Sequence, residues 1–85
     1  MKELNYTITD PLGIHARPAG IIVKKACEYE CNIEVIKDEK TADAKRIFSL
    51  MGLAVKGGDT ITVRFNGTDE EIAASEIKKL LEEYL

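Results

Sequence analysis

Apolar and polar residues alternate at the start of the chain, with Leu4, Tyr6 and Ile8 interleaved among Glu3, Asn5, Thr7 and Thr9. A period of two marks a strand buried on one face. Asp10-Pro11-Leu12 then reads as a turn. From residue 16 to about 29 the period lengthens, and Ala19, Ile22, Val23 and Ala26 recur at spacings of three and four, the stripe of an amphipathic helix. Pro18 suits its first turn, where backbone N–H groups lack intrahelical partners in any case. Ile33 and Val35 alternate with Asn32 and Glu34 in a second strand, Asp38-Glu39-Lys40 makes a hairpin turn, and a short strand follows with Ala42 and Ala44 facing inward. Residues 47 to about 53 predict a short helix, weakened near its end by Gly52. Lys56-Gly57-Gly58-Asp59 breaks the chain before a fourth strand, in which Ile61, Val63 and Phe65 alternate with Thr60, Thr62 and Arg64. Asn66-Gly67 turns again, Thr68 and Glu71 have the spacing of a capping box, and Ala73, Ile77, Leu80, Leu81 and Tyr84 form the buried stripe of a last helix.

The resulting order is β-α-β-β-α-β-α, with one apolar face on every strand. That pattern predicts an α+β protein: an open-faced sandwich of an antiparallel or mixed sheet covered on one side by helices. Its 85 residues suffice for one domain with one modest core. The net charge of −3 argues against nucleic acid as a partner. Basic residues still gather at Arg17, Lys24, Lys25, Lys45 and Arg46, while Glu70, Glu71, Glu76, Glu82 and Glu83 lie elsewhere, a division that suits docking on an acidic protein. No apolar run approaches membrane-spanning length and Met1-Lys2-Glu3-Leu4-Asn5 lacks the apolar core of a signal peptide, so the expectation is a cytoplasmic protein without membrane insertion. Cys27 and Cys31 have no second ligand pair, so neither a metal site nor any cofactor is expected, and a reducing compartment disfavours a disulfide. Cys27 reads as helix-facing filler and Cys31 as the lead-in to a strand.

The single histidine carries the chemistry. In Gly13-Ile14-His15-Ala16-Arg17-Pro18-Ala19, His15 falls at or beside the helix N-cap. The free N–H groups of Ala16 and Arg17 point back toward its ring, and Arg17 adds a full positive charge. A helix N-terminus favours neutral imidazole, which is a nucleophile. If His15 accepts a phosphoryl group, the dianion lands where the amides and Arg17 can bond it. The bland alternative is a polar cap residue without chemistry. A second surface is suggested by the short helix, where Leu50 and Leu53 can serve the core while Ile47, Phe48 and Met51 remain partly exposed. The alternative is that all five fill the core.

The seven-residue run, its place in the chain and the order of elements resemble the histidine-containing phosphocarrier (HPr) family of the bacterial phosphotransferase system. The resemblance spans essentially the whole chain. It implies four antiparallel strands with two long helices and one short one, and a phosphoryl carrier rather than a free-standing enzyme. It also implies a donor, enzyme I charged by phosphoenolpyruvate, and sugar-specific enzyme II acceptors. His15 would be the phosphohistidine, modified at Nδ1, with Arg17 and the Ala16 amide stabilising the phosphate. Gly20, Lys24, Arg46, Ile47, Phe48 and Met51 would form the docking face of a monomer. Many relatives carry a regulatory serine where this chain has Arg46, so control at that position is not expected, and Ser49 reads as an ordinary surface residue. Leu12 stands where some members have a polar residue near the histidine, leaving the phosphate to the amides and Arg17. A nitrogen-branch phosphocarrier and a regulatory binding module are the alternatives.

Overall fold

The computed structural model describes residues 1–85. Four strands and three helices follow one another as β1 (Lys2–Thr7), α1 (Ala16–Ala26), β2 (Asn32–Lys37), β3 (Lys40–Asp43), α2 (Ile47–Met51), β4 (Thr60–Asn66) and α3 (Glu70–Tyr84). The strands form one sheet in the order β1-β4-β2-β3. All three pairings are antiparallel, which settles the choice the alternation pattern left open. Leu4, Val63, Val35 and Ala42 stand side by side across the four strands and make one row of the inner face. The neighbouring row, Glu3, Arg64, Glu34 and Asp43, lies on the opposite face, where Arg64 Nε donates to Glu3 Oε2 at 2.8 Å. The helices cover the inner face only, so the α+β open-faced sandwich is the observed fold.

The core is wholly apolar. Phe65, Ile8, Ile33, Leu50, Ile61, Ile77 and Leu81 are its largest fully buried side chains, and no charged or polar residue is buried among them. Each alternating strand position predicted to face inward is buried or half-buried. Ala19, Ile22 and Ala26 of α1 are buried and Val23 is half-buried.

Several boundaries differ from the sequence pattern, each for a local reason. α1 stops at Ala26, three residues short of Tyr29. Beyond it Glu28 and Tyr29 donate to carbonyls three residues back, which tightens the turn. Lys45 Nζ then donates to the Tyr29 carbonyl at 2.7 Å, and the Asp69 carboxylate accepts the Glu30 and Cys31 amides at 2.8 and 2.9 Å. These bonds pull the chain off the helix axis and leave Cys27 exposed rather than packed as filler, while Cys31 is buried just ahead of β2. Lys40 belongs to β3 rather than to the hairpin turn, which is two residues long with Asp38 at φ 55°. α2 ends at Met51, where Leu53 and Ala54 again bond three residues back, so Leu53 reaches the core from a turn. No capping box forms at α3. Asp69 is its N-cap, its carboxylate is committed to Glu30 and Cys31, and Glu70 Oε1 accepts the Gly67 amide instead. Glu70 and Glu71 in the first turn still oppose the helix dipole favourably. Within α3, two residues of the predicted stripe are not buried: Leu80 is only half-buried and Tyr84 is 40% exposed. Ser49 is no bystander: its hydroxyl accepts the Asp43 amide at 3.0 Å and ties β3 to α2.

Candidate functional site

The loop between β1 and α1 is held from three sides before any functional side chain is placed. Ile8 donates to Asp59 and Gly58 donates to Ile8, at 2.9 and 2.8 Å. The Thr9 and Asp10 amides and the Thr9 hydroxyl all donate to a backbone oxygen of Leu85 at 2.6–3.0 Å, which fastens the end of α3 to the loop. The Ile14 amide donates to the Val55 carbonyl at 3.1 Å. Gly13 sits there at φ +68°, and a Cβ on it would lie 2.0 Å from Val55 O. Only glycine permits this approach together with this dihedral.

His15 is the N-cap of α1, with extended backbone and no side-chain capping bond. Its carbonyl accepts the Ala19 amide at 3.0 Å. Pro18 has no N–H, and neither Ala16 nor Arg17 has a backbone acceptor. The helix therefore presents two unclaimed donors, the Ala16 and Arg17 amides, at its positive end. Arg17 is exposed and takes part in no ion pair. The imidazole is 37% exposed, and its Nε2 lies 3.4 Å from Asp10 Oδ2, while Nδ1 has no protein partner. The Leu12 amide donates to Asp10 Oδ1 at 2.9 Å. That bond chiefly holds the Asp10 carboxyl below its usual range, and His15 adds to the effect. Asp10, His15, Arg17, Pro18 and Tyr84 line one shallow hollow. Two of these, Asp10 and Tyr84, are absent from the sequence-based site. Asp10 reads as part of a turn, and Tyr84 as part of a stripe, until the end of α3 is seen fastened to the loop.

The remaining residues lie on α1 and α2. Gly20 is half-buried, and Ile47 Cδ1 comes within 4.0 Å of where its Cβ would stand, so the two helices meet there. Lys24 follows one turn along α1 and is exposed, and Arg46 is the exposed N-cap of α2. Leu50 and Leu53 are buried, Ile47 is half-buried, and Phe48 and Met51 are 87% and 37% exposed. The exposed residues of α2 are thus a surface and not core. Leu12, 71% exposed in the loop before His15, adds a further apolar side chain.

Comparison with known proteins finds the same sequence pattern and fold elsewhere. The family model for the "PTS HPr component phosphorylation site" matches residues 2–83. The phosphocarrier protein HPr of Lysinibacillus sphaericus is 46% identical over 98% of this chain and 94% of its own length. A histidine-containing phosphocarrier protein of Mycoplasma superposes with a TM-score of 0.95 at 35% identity, covering 96% of this chain and 93% of that one. HPr from Thermoanaerobacter tengcongensis gives 0.93 at 37% identity, over 98% and 93% of the two chains. Matched along almost its whole length in sequence and in structure, the chain belongs to the HPr family of phosphotransferase-system phosphocarriers.

Proposed function

We propose that this chain takes a phosphoryl group on His15 from enzyme I, charged by phosphoenolpyruvate, and hands it to sugar-specific enzyme II acceptors in the cytoplasm. The observation that carries this reading is the unpartnered Nδ1 of His15 at a helix start with two unclaimed amides and an unpaired Arg17. The Nδ1 lone pair attacks phosphorus, the N–P bond forms, and the donor departs with the electron pair of the broken bond. The phosphoryl oxygens then accept hydrogen bonds from Ala16 N–H, Arg17 N–H and the Arg17 guanidinium. The hollow is shallow and open, so water screens the bound dianion and it is held only moderately, as a carrier requires.

Lys24, Arg46, Phe48, Met51, Ile47 and Gly20 form the docking face in this reading. Apolar side chains at its centre and free cations around them fit an acidic partner with an apolar patch. The same face must release one protein before it meets the next, which favours a small, transient interface. With Arg46 in the place of the family's regulatory serine, the chain escapes that control, and incubation with the serine kinase and ATP leaves it unmodified. One chain holds every residue of the site, so a monomer suffices for the activity.

The test is discharge of the phosphorylated protein. Phosphoprotein freed of enzyme I loses its phosphate within seconds to a sugar-specific enzyme II domain and keeps it with a nitrogen-branch acceptor. The opposite preference assigns the chain to the nitrogen branch. Stable phosphate with both acceptors would make it a regulatory module.

A further inference from the structure

Resting on that phosphocarrier reading, we propose that Asp10 is a positioning residue. It keeps the His15 proton on Nε2, so Nδ1 holds the lone pair in the empty carrier and the ring remains a charge-paired imidazolium in the loaded one.

The two oxygens of Asp10 are differently engaged. Oδ1 accepts the Leu12 amide at 2.9 Å, and this bond fixes the carboxylate's orientation within its own loop. The backbone is fixed as well, since the Asp10 amide donates to Leu85 at 3.0 Å and the Asp10 carbonyl accepts the Gly13 amide at 2.9 Å. Oδ2 is thereby aimed at His15 Nε2, 3.4 Å away. Asp10 is ionised at neutral pH, as any ordinary carboxyl is, and the Leu12 amide lowers its pKa further. An ionised carboxylate only accepts hydrogen bonds, so the nitrogen facing it must be the donor. In neutral imidazole the other nitrogen then carries the lone pair, and here that nitrogen is Nδ1. The distance is long for the neutral ring, and such contacts shorten once the donor becomes charged.

The proton balance follows from this arrangement. Attack by Nδ1 on phosphorus leaves the proton on Nε2, and the ring gains a positive charge beside Asp10. Breaking the N–P bond returns the electron pair to Nδ1 and restores the neutral Nε2–H ring. No proton has to enter or leave in either transfer, and the leaving group is neutral imidazole rather than imidazolate. Besides Asp10, the titratable or charged residues that line the hollow with His15 are Arg17 from α1 and Tyr84 from α3. The guanidinium only donates, and the phenol makes no hydrogen bond to His15, so Asp10 is the acceptor that meets Nε2.

Asp10→Asn tests this directly. The Leu12 amide requires the amide oxygen of the new side chain, which turns its NH2 toward His15. That group donates to Nε2 and drives the proton to Nδ1. Two-bond 1H–15N spectra of the unphosphorylated protein, taken on the neutral ring, read the tautomer without any transfer assay. The wild type shows Nε2–H. Asp10→Asn shows predominantly Nδ1–H, and Asp10→Ala falls between them with neither bond present. Phosphoryl acceptance from enzyme I falls with the competent fraction, about tenfold in Asp10→Asn. A wild-type tautomer ratio in Asp10→Asn overturns the proposal, as does a shifted ratio with an unchanged rate. Failure of the wild type to accept phosphate from enzyme I sinks the carrier reading instead, and leaves the tautomer measurement standing.

Discussion

Gly13→Ala separates the geometry of the loop from the chemistry it presents. At φ +68° an alanine pays the left-handed penalty of about 1–2 kcal/mol. Its Cβ also lands 2.0 Å from Val55 O and 2.7 Å from Lys56 Cα, so one of the two segments must retreat by about 1.4 Å to reach ordinary contact. Forced overpacking of this kind costs about 1–3 kcal/mol, and the smaller unfolded-state entropy of alanine returns about 0.5 kcal/mol. The net loss is about 3 kcal/mol, which a domain of this length survives with reduced stability. The movement is transmitted to the site, because Ile14 bonds Val55 and His15 N–H bonds the Gly13 carbonyl. Misplacing a reacting group by about 1 Å costs on the order of 10²-fold in rate. Gly58→Ala is the control: it has positive φ, +92°, but nothing within 4 Å of its Cβ, so only the conformational penalty of about 1–2 kcal/mol applies. Urea unfolding of the two variants, with phosphoryl acceptance measured beside it, reads both effects. Equal stability losses in the two variants, or an unaltered transfer rate in Gly13→Ala, would refute the role assigned to the close approach at Val55.

Other outcomes follow from the exposure and pairing of single residues. Arg17→Ala leaves stability within about 0.5 kcal/mol, because its guanidinium is exposed and unpaired, yet slows phosphoryl acceptance about 10- to 100-fold, the worth of a charge-assisted hydrogen bond. Phe48→Ala, at a side chain 87% exposed, likewise spares stability but raises the KM for the protein at enzyme I about fivefold or more, the effect of losing an interface anchor. A thiol reagent at neutral pH modifies one cysteine in the native protein and two in the unfolded chain, because Cys27 is exposed while burial, with the Asp69 carboxylate adding to it, pushes the Cys31 thiol up to about 11. Asp69, held below its usual 3.8 chiefly by the Glu30 amide, contributes stability that is present above about pH 4 and lost as pH falls through its folded-state value. Asp69→Asn therefore flattens the acid limb of a stability–pH curve, and an unchanged limb contradicts the assignment.

Periodicity carried the fold because burial decides it: a strand covered on one face must alternate, and every inward position in β1, β2, β3 and β4 does so. The ends of elements were less legible. Whether α1 stops at Ala26 or Tyr29 depends on Lys45 and Asp69, which reach it from 16 to 39 residues away. The missing capping box has the same origin, since Asp69 serves a distant turn in preference to its own helix. At the site, His15, Arg17 and the free amides are local to one helix start, so spacing places them together, while the role proposed for them rests on the family resemblance. Asp10 and Tyr84 are not, because their relation to His15 exists only once the loop is pinned to Val55 and Leu85. An aspartate five residues before a histidine, with the Pro11 turn between them, was the available hint.

The most direct measurement is the intact mass of the wild type and of His15→Ala after incubation with enzyme I and phosphoenolpyruvate, followed by acid and alkali treatment. The expected result is one added phosphoryl group in the wild type, lost in acid, retained in alkali and absent from a folded His15→Ala. A phosphate that survives acid, or one that persists in His15→Ala, would contradict the assignment of His15 as the carrier residue.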